Sequence, residues 1–131
     1  MGTAYFIVLE QPIAGLDTSM DGKALAGNVD DLDWTAREIG VRSISEFVSP
    51  DVESDFLRGE GLDVPQIQLP PVEQFSSKDG LKSVRALLRE IEAWAPGGKD
   101  TTAILTDLRA CERILGIAAE HGVRWHFEVD F

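Results

Sequence analysis

The sequence predicts an α+β fold, with two terminal β-strands paired in a small sheet and packed against three main α-helices. Three patterns carry that expectation. The C-terminal segment alternates apolar and charged residues with a period of two, three internal segments carry apolar stripes at helical spacing, and Pro96-Gly97-Gly98 joins the last two stripes through a tight connection. The chain has 131 residues, with 44% hydrophobic and 27% charged residues. That is the size and balance of one globular domain, able to bury roughly two thirds of its unfolded surface without disulfides or metal. Residues 1–131 are therefore read as a single α+β domain.

Thr3–Glu10 reads as the first strand, because Tyr5, Phe6, Ile7 and Val8 favour extended structure. It is apolar on both faces, which places it inside a sheet or beneath helices. Gln11-Pro12 and Gly15 break it. From Lys23 to Ile39, Leu25, Val29, Leu32, Ala36 and Ile39 form one apolar stripe, and Gly40 supplies the stop. Ser43–Val48 suits a short helix or a strand equally. Pro50 then leads into a short helix at Asp51–Leu57, where a first-turn proline costs no intrahelical bond.

Residues 58–75 carry Gly59, Gly61, Pro65, Pro70 and Pro71, an irregular segment long enough to be functional or packed down by Ile67, Leu69, Val72 and Phe75. Ser76 or Ser77 caps a second long helix running to about Ala95, with Leu81, Val84, Leu88, Ile91 and Ala95 as its core stripe, widened by Leu87 and Trp94. Asp100 or Thr101 starts the third, reaching His121, with stripe Ile104, Leu108, Cys111, Leu115 and Ala118 and a stop at Gly122. The closing strand is Val123–Phe131, with Val123, Trp125, Phe127, Val129 and Phe131 on the apolar face and Arg124, His126, Glu128 and Asp130 on the charged one. A two-stranded sheet is marginal alone, so a third strand from the middle of the chain, or pairing across a homodimer, is expected.

Charge narrows the partners. Twelve Lys and Arg against 23 Asp and Glu give a net charge of −11, of which residues 1–79 hold −10. Such a field repels nucleic acid and anionic lipid, so both are excluded as general partners, and it marks one part of the molecule as a surface for a basic protein. No apolar run reaches the roughly 20 residues that span a bilayer. No signal peptide is visible, and the one cysteine, Cys111, suits a reducing cytoplasm.

Few motifs point to chemistry. Asp17-Thr18-Ser19-Met20-Asp21-Gly22 resembles the opening of an EF-hand loop, with Asp17, Ser19 and Asp21 as weak metal-ligand candidates. Position twelve, however, is Asn28, and a strand with Pro12 precedes the loop where a helix is required; an Asp-rich turn is the better account of the segment. Gly98-Lys99-Asp100-Thr101 lacks the earlier glycine and the Ser or Thr of a phosphate loop. Cys111 occupies a core stripe, where burial raises a thiol pKa and suppresses nucleophilicity. Two histidines, His121 and His126, offer neither a zinc set nor a triad, and the Asp30, Asp31 and Asp33 carboxylates look exposed. No catalytic residue and no cofactor is assigned.

Two surface features stand out instead. Trp34 lies about 180° around its helix from Leu25, at roughly 100° per residue, between Asp30, Asp31, Arg37 and Glu38. It is either an interface aromatic or a residue covered by the 58–75 segment. Lys78, Lys82, Arg85 and Arg89 form a basic line on one face of the second long helix, either plain solvated surface or a stripe that docks against acidic residues within the chain or in a second subunit.

The segments YFIVLE, GLDTSMDGKALA and GVRWHFEVDF together resemble a family of small bacterial proteins of unknown function. That resemblance implies a bacterial, soluble, single-domain protein. In size and acidity the chain is also similar to bacterial immunity proteins, which cover a basic toxin with an acidic surface. The expected function is thus a protein-binding or regulatory module that presents Trp34, Asp30, Asp31 and Glu38, with Lys78, Lys82, Arg85 and Arg89 as a second contact surface. The alternative is a small-ligand or metal-binding enzyme with a pocket near residues 58–75.

Overall fold

The computed structural model describes residues 3–49, 73–93 and 101–130. Its element order is β1 (Ala4–Leu9), α1 (Lys23–Gly27), α2 (Val29–Ile39), a 3₁₀ turn (Ile44–Phe47), α3 (Ser77–Glu92), α4 (Thr101–Glu120) and β2 (Trp125–Asp130). The fold is α+β, with the terminal strands antiparallel in a two-stranded sheet and the helices packed on it.

The register pairs Tyr5 with Val129, Ile7 with Phe127 and Leu9 with Trp125. Tyr5, Ile7, Trp125 and Phe127 are buried on the helix-facing side. Because the Trp125 and Phe127 carbonyls accept instead from Phe75 and Ser49 (2.7 and 3.0 Å), Leu9 and Ile7 stand opposite them as non-hydrogen-bonded pairs. The third strand anticipated from sequence is absent among the described residues. In its place β2 makes two single-residue bridges on its far edge, parallel with Val48 and antiparallel with Phe75. Ser43–Val48 therefore combines both of its readings: a 3₁₀ turn, closed by a capping box between Ser43 and Glu46, and then one residue of sheet pairing.

The single helix expected over Lys23–Ile39 is divided. Asn28 (φ −124°, ψ 19°) ends α1 and begins α2, and its side-chain amide donates to the Ala24 carbonyl at 2.8 Å. A Gly-Asn pair is a poor helix interior, and the amide competes for a carbonyl that the helix ladder would use. The apolar face survives the break: Leu25, Leu32 and Ala36 are buried, with Val29 and Ile39 partly so. At Gly40 (φ +80°) the chain leaves α2 in the left-handed region, as the sequence implied.

The Leu81–Ile91 stripe of α3, with Leu87, and the whole Ile104–Ala118 stripe of α4 are buried. Ser76 caps α3 by accepting from the Asp79 amide at 3.4 Å. Cross-helix pairs Arg85–Glu112 and Arg109–Glu92 run in opposite chain directions, so the two helices form the expected antiparallel pair. The predicted helix at 51–57, most of the 58–75 segment and the Pro96-Gly97-Gly98 connection lie outside the described residues, as do Trp94 and Ala95.

Trp125 is the centre of the core. Its ring stacks on Phe47 (centroids 5.0 Å), meets Phe127 edge-on (4.7 Å), and donates its Nε1–H to the Ser76 carbonyl at 3.2 Å. Its six-membered ring lies against α3 at Gly80, where an added Cβ would fall 2.4 Å from Cζ2. An exposed helical Gly→Ala change gains about 1 kcal/mol of helix propensity. Here the methyl meets a ring fixed on all sides, and overpacking costs about 1–3 kcal/mol or more. Gly80→Ala is therefore expected to destabilise the protein, measured by urea unfolding, whereas a stabilised variant would show that the indole is free to move.

Candidate functional site

The exposed face of α2 holds the first set of residues selected from sequence. Trp34 is 60% exposed, the large hydrophobic side chain left outside the core among the described residues. Asp30 and Asp31 lie one turn before it, Arg37 and Glu38 one turn after, and all four are exposed. Helix geometry determines the arrangement: with Leu25, Leu32 and Ala36 turned inward, position 34 faces outward. Asp33 departs from the expectation of exposed carboxylates. It is buried, and its Oδ1 accepts from the Ser45 amide at 3.1 Å, tying α2 to the 3₁₀ turn. Burial, followed by the Asp33 and Asp30 carboxylates, raises the Tyr5 phenol above its ordinary value.

Lys78, Lys82, Arg85 and Arg89 are all exposed along α3. Among the described residues the stripe's ion pair runs to α4, through Arg85 Nε and Glu112 Oε2 at 3.2 Å, rather than to residues 3–49. The structure places the α2 set and the α3 set on separate helices and brings neither into contact with the other through an ion pair among these residues. Between α3 and α4 the Arg85, Leu88, Arg89, Glu92, Arg109 and Glu112 side chains enclose a groove of about 340 Å³. A second groove of about 340 Å³ lies between β1 and the returning residues Pro12–Thr18. The pocket anticipated beside residues 58–75 falls largely outside the described residues.

The Asp17–Gly22 segment is a turn whose acidic groups are engaged locally. Asp17 accepts from the Ser19 amide (2.9 Å) and hydroxyl, which hold its carboxyl below the ordinary range, and its carbonyl accepts from Arg113 at 3.0 Å. Asp21 accepts from the Lys23 amide at 3.2 Å. Among the described residues no three His, Cys, Asp or Glu side chains converge as a metal site requires.

The residue that sequence reasoning missed is Asp107. It is buried on α4, and its carboxylate accepts from the amides of Gly22 (3.2 Å), Ala24 (3.1 Å) and Leu25 (3.3 Å). It thereby caps α1 from 82 to 85 residues away along the chain, where the N-cap residue, Gly22, has no side chain to accept. Its signal was legible: an acid adjoining Ile104, Leu108 and Cys111 on an apolar helix face demands a partner. His126 also differs from expectation. It is buried instead of lying on a solvated charged face, with Nε2–H donating to Glu128 at 2.8 Å and Nδ1 paired with the Gln74 side chain at 3.1 Å. Val8 and Phe6 sit directly opposite His126 and Glu128 in the sheet register.

Cys111 lies fully inside α4's stripe, and burial pushes its thiol pKa up, with Asp107 adding to the effect. His121 is exposed at the end of α4, its Nδ1 2.9 Å from the Ile117 carbonyl. Comparison with known proteins adds no identification: no family model matches the sequence, no curated protein matches it, and no solved structure matches the fold.

Two tests follow from these buried groups. Asp107→Ala leaves three amides at the start of α1 without their acceptor, and about 2–3 kcal/mol of stability should be lost in urea unfolding; a loss below about 0.5 kcal/mol would mean that water replaces the carboxylate. Cys111 and Tyr5 hold their protons more tightly folded than unfolded, so their contribution is complete at neutral pH. It falls as pH rises past the ordinary values of 9.0 and 10.0, where the unfolded chain alone releases them. The stability of the protein should decline above about pH 9, by up to about 1.4 kcal/mol per pH unit for each group, and Cys111→Ala should remove the earlier part of that decline.

Proposed function

We propose that this chain is a protein-binding module whose exposed α2 face docks a basic surface on a protein partner. The observation that supports this reading is Trp34, held 60% exposed and flanked by the exposed Asp30, Asp31 and Glu38, with Arg37 beside them. A solvated tryptophan costs hydrophobic free energy that burial in a complex would recover, and tryptophan is among the residues that dominate interface energies. The surrounding carboxylates would favour a basic patch on the partner over an acidic one. The net charge of −11 acts in the same direction. The reading extends to a regulatory role in a bacterial cytoplasm, of the kind that immunity proteins perform by covering a basic protein. No described helix is long and apolar enough to cross a membrane.

Trp34→Ala tests the reading directly. Since the side chain packs little in the folded chain, urea unfolding should change by less than about 0.5 kcal/mol. The affinity for the partner recovered with the untagged protein from its host, identified by native mass spectrometry, should fall by about 30-fold or more. Equal affinity of the variant and the parent would place the binding surface elsewhere.

A further inference from the structure

The groove between α3 and α4 has the features that the α2 face lacks. Buried Leu88 lies at its floor, and Arg85, Arg89, Arg109, Glu92 and Glu112 line its sides. It is an open groove of about 340 Å³, comparable in volume to the smaller sites that take organic groups, roughly 300 Å³ and upward. Two ion pairs cross it, Arg85–Glu112 at 3.2 Å and Arg109–Glu92 at 3.6 Å, with side chains 39–58% exposed. Pairs so solvated hold their partners weakly, so an incoming carboxylate can compete for the guanidinium groups. Lys78 and Lys82 continue the positive charge along α3.

One chain thus exposes both an aromatic side chain flanked by Asp30, Asp31 and Glu38, with Arg37 beside them, and a groove over Leu88 that carries Arg85, Arg89 and Arg109 against Glu92 and Glu112, with Lys78 and Lys82 further along α3. We infer that the surface receiving Trp34 is the α3/α4 groove of a second copy of this chain, an inference that rests on the reading of α2 as the binding face. The indole enters over Leu88 among the arginine heads, where cation–π attraction to tryptophan is strongest. Asp30, Asp31 and Glu38 meet Lys82, Arg85 and Arg89 around it. Made twice between two copies the contact closes a dimer, and made once per copy it propagates to larger species.

Salt alone does not discriminate this arrangement, because two bodies of charge −11 repel at long range while the docked patches attract, and salt screens both. Exchange of charge does discriminate. Sedimentation velocity of the full chain over a concentration series should show a dimer or larger species. Trp34→Ala, the pair Arg85→Glu with Arg89→Glu, and the pair Asp30→Lys with Asp31→Lys should each raise the dissociation constant about tenfold or more. A mixture of the two charge-reversed proteins should associate again, since each then offers the sign that the other's reversed patch requires. Far-UV circular dichroism of every variant should match the parent, as all the altered side chains are exposed.

A monomer at every concentration overturns the inference, as does a dimer indifferent to these substitutions or a mixture that stays dissociated. A monomeric parent that binds a basic partner through Trp34 would overturn self-docking alone. A partner bound equally by Trp34→Ala would overturn the wider reading as well.

Discussion

The approach of the Trp125 ring to the backbone of α3 at Gly80 organises the rest of the molecule. The absence of a side chain at position 80 lets the ring lie flat on the helix, 2.4 Å from where a Cβ would stand. Once seated there, the indole donates to the Ser76 carbonyl just before the helix begins, stacks on Phe47 and meets Phe127 edge-on. The same residue exchanges both backbone hydrogen bonds with Phe75. One side chain and its peptide groups thereby unite β2, the start of α3 and the 3₁₀ turn. Arg42 closes this cluster on the solvent side, its guanidinium 5.0 Å from the Phe47 ring centre and 4.9 Å from that of Phe75.

A second long-range tie compensates for a local weakness. Helix α1 has five residues, too few to be stable alone, and its N-cap is Gly22, which has no side chain to accept a hydrogen bond. The position still requires glycine, since φ is +71° and a Cβ would lie 1.8 Å from the Tyr5 carbonyl oxygen. The close approach lets the Tyr5 amide donate to the Gly22 carbonyl at 3.1 Å, joining β1 to the start of α1. Asp107 then supplies from α4 the acceptor that glycine cannot. The burial of this carboxylate is tolerable because backbone amides surround it.

These ties direct the surface outward. With α1 held by Asp107 and α2 held by Asp33 at the 3₁₀ turn, the apolar stripe of α2 is committed to the core. Trp34 has no inward position left to occupy. The antiparallel packing of α3 on α4 likewise commits Leu81, Val84, Leu88 and Ile91 inward, leaving the arginines and lysines of α3 at the rim. The exposure of the aromatic and basic sets is a consequence of which faces the core has already used.

Periodicity determined the elements, because a period of two or of 3.6 encodes which residues share a face, and burial of that face is the main favourable term in folding. The stripes of α3 and α4, the antiparallel hairpin, the terminal strands and the outward direction of Trp34 were all legible on that ground. The tertiary structure decided what depends on residues distant in sequence. The Gly27-Asn28 break, the single-residue bridges of Val48 and Phe75 in place of a strand, and the buried positions of Asp33, Asp107 and His126 are of this kind. A polar side chain goes inside only where partners await it, and those partners, the Ser45 amide, the α1 amides, Glu128 and Gln74, are assembled only once the chain has folded.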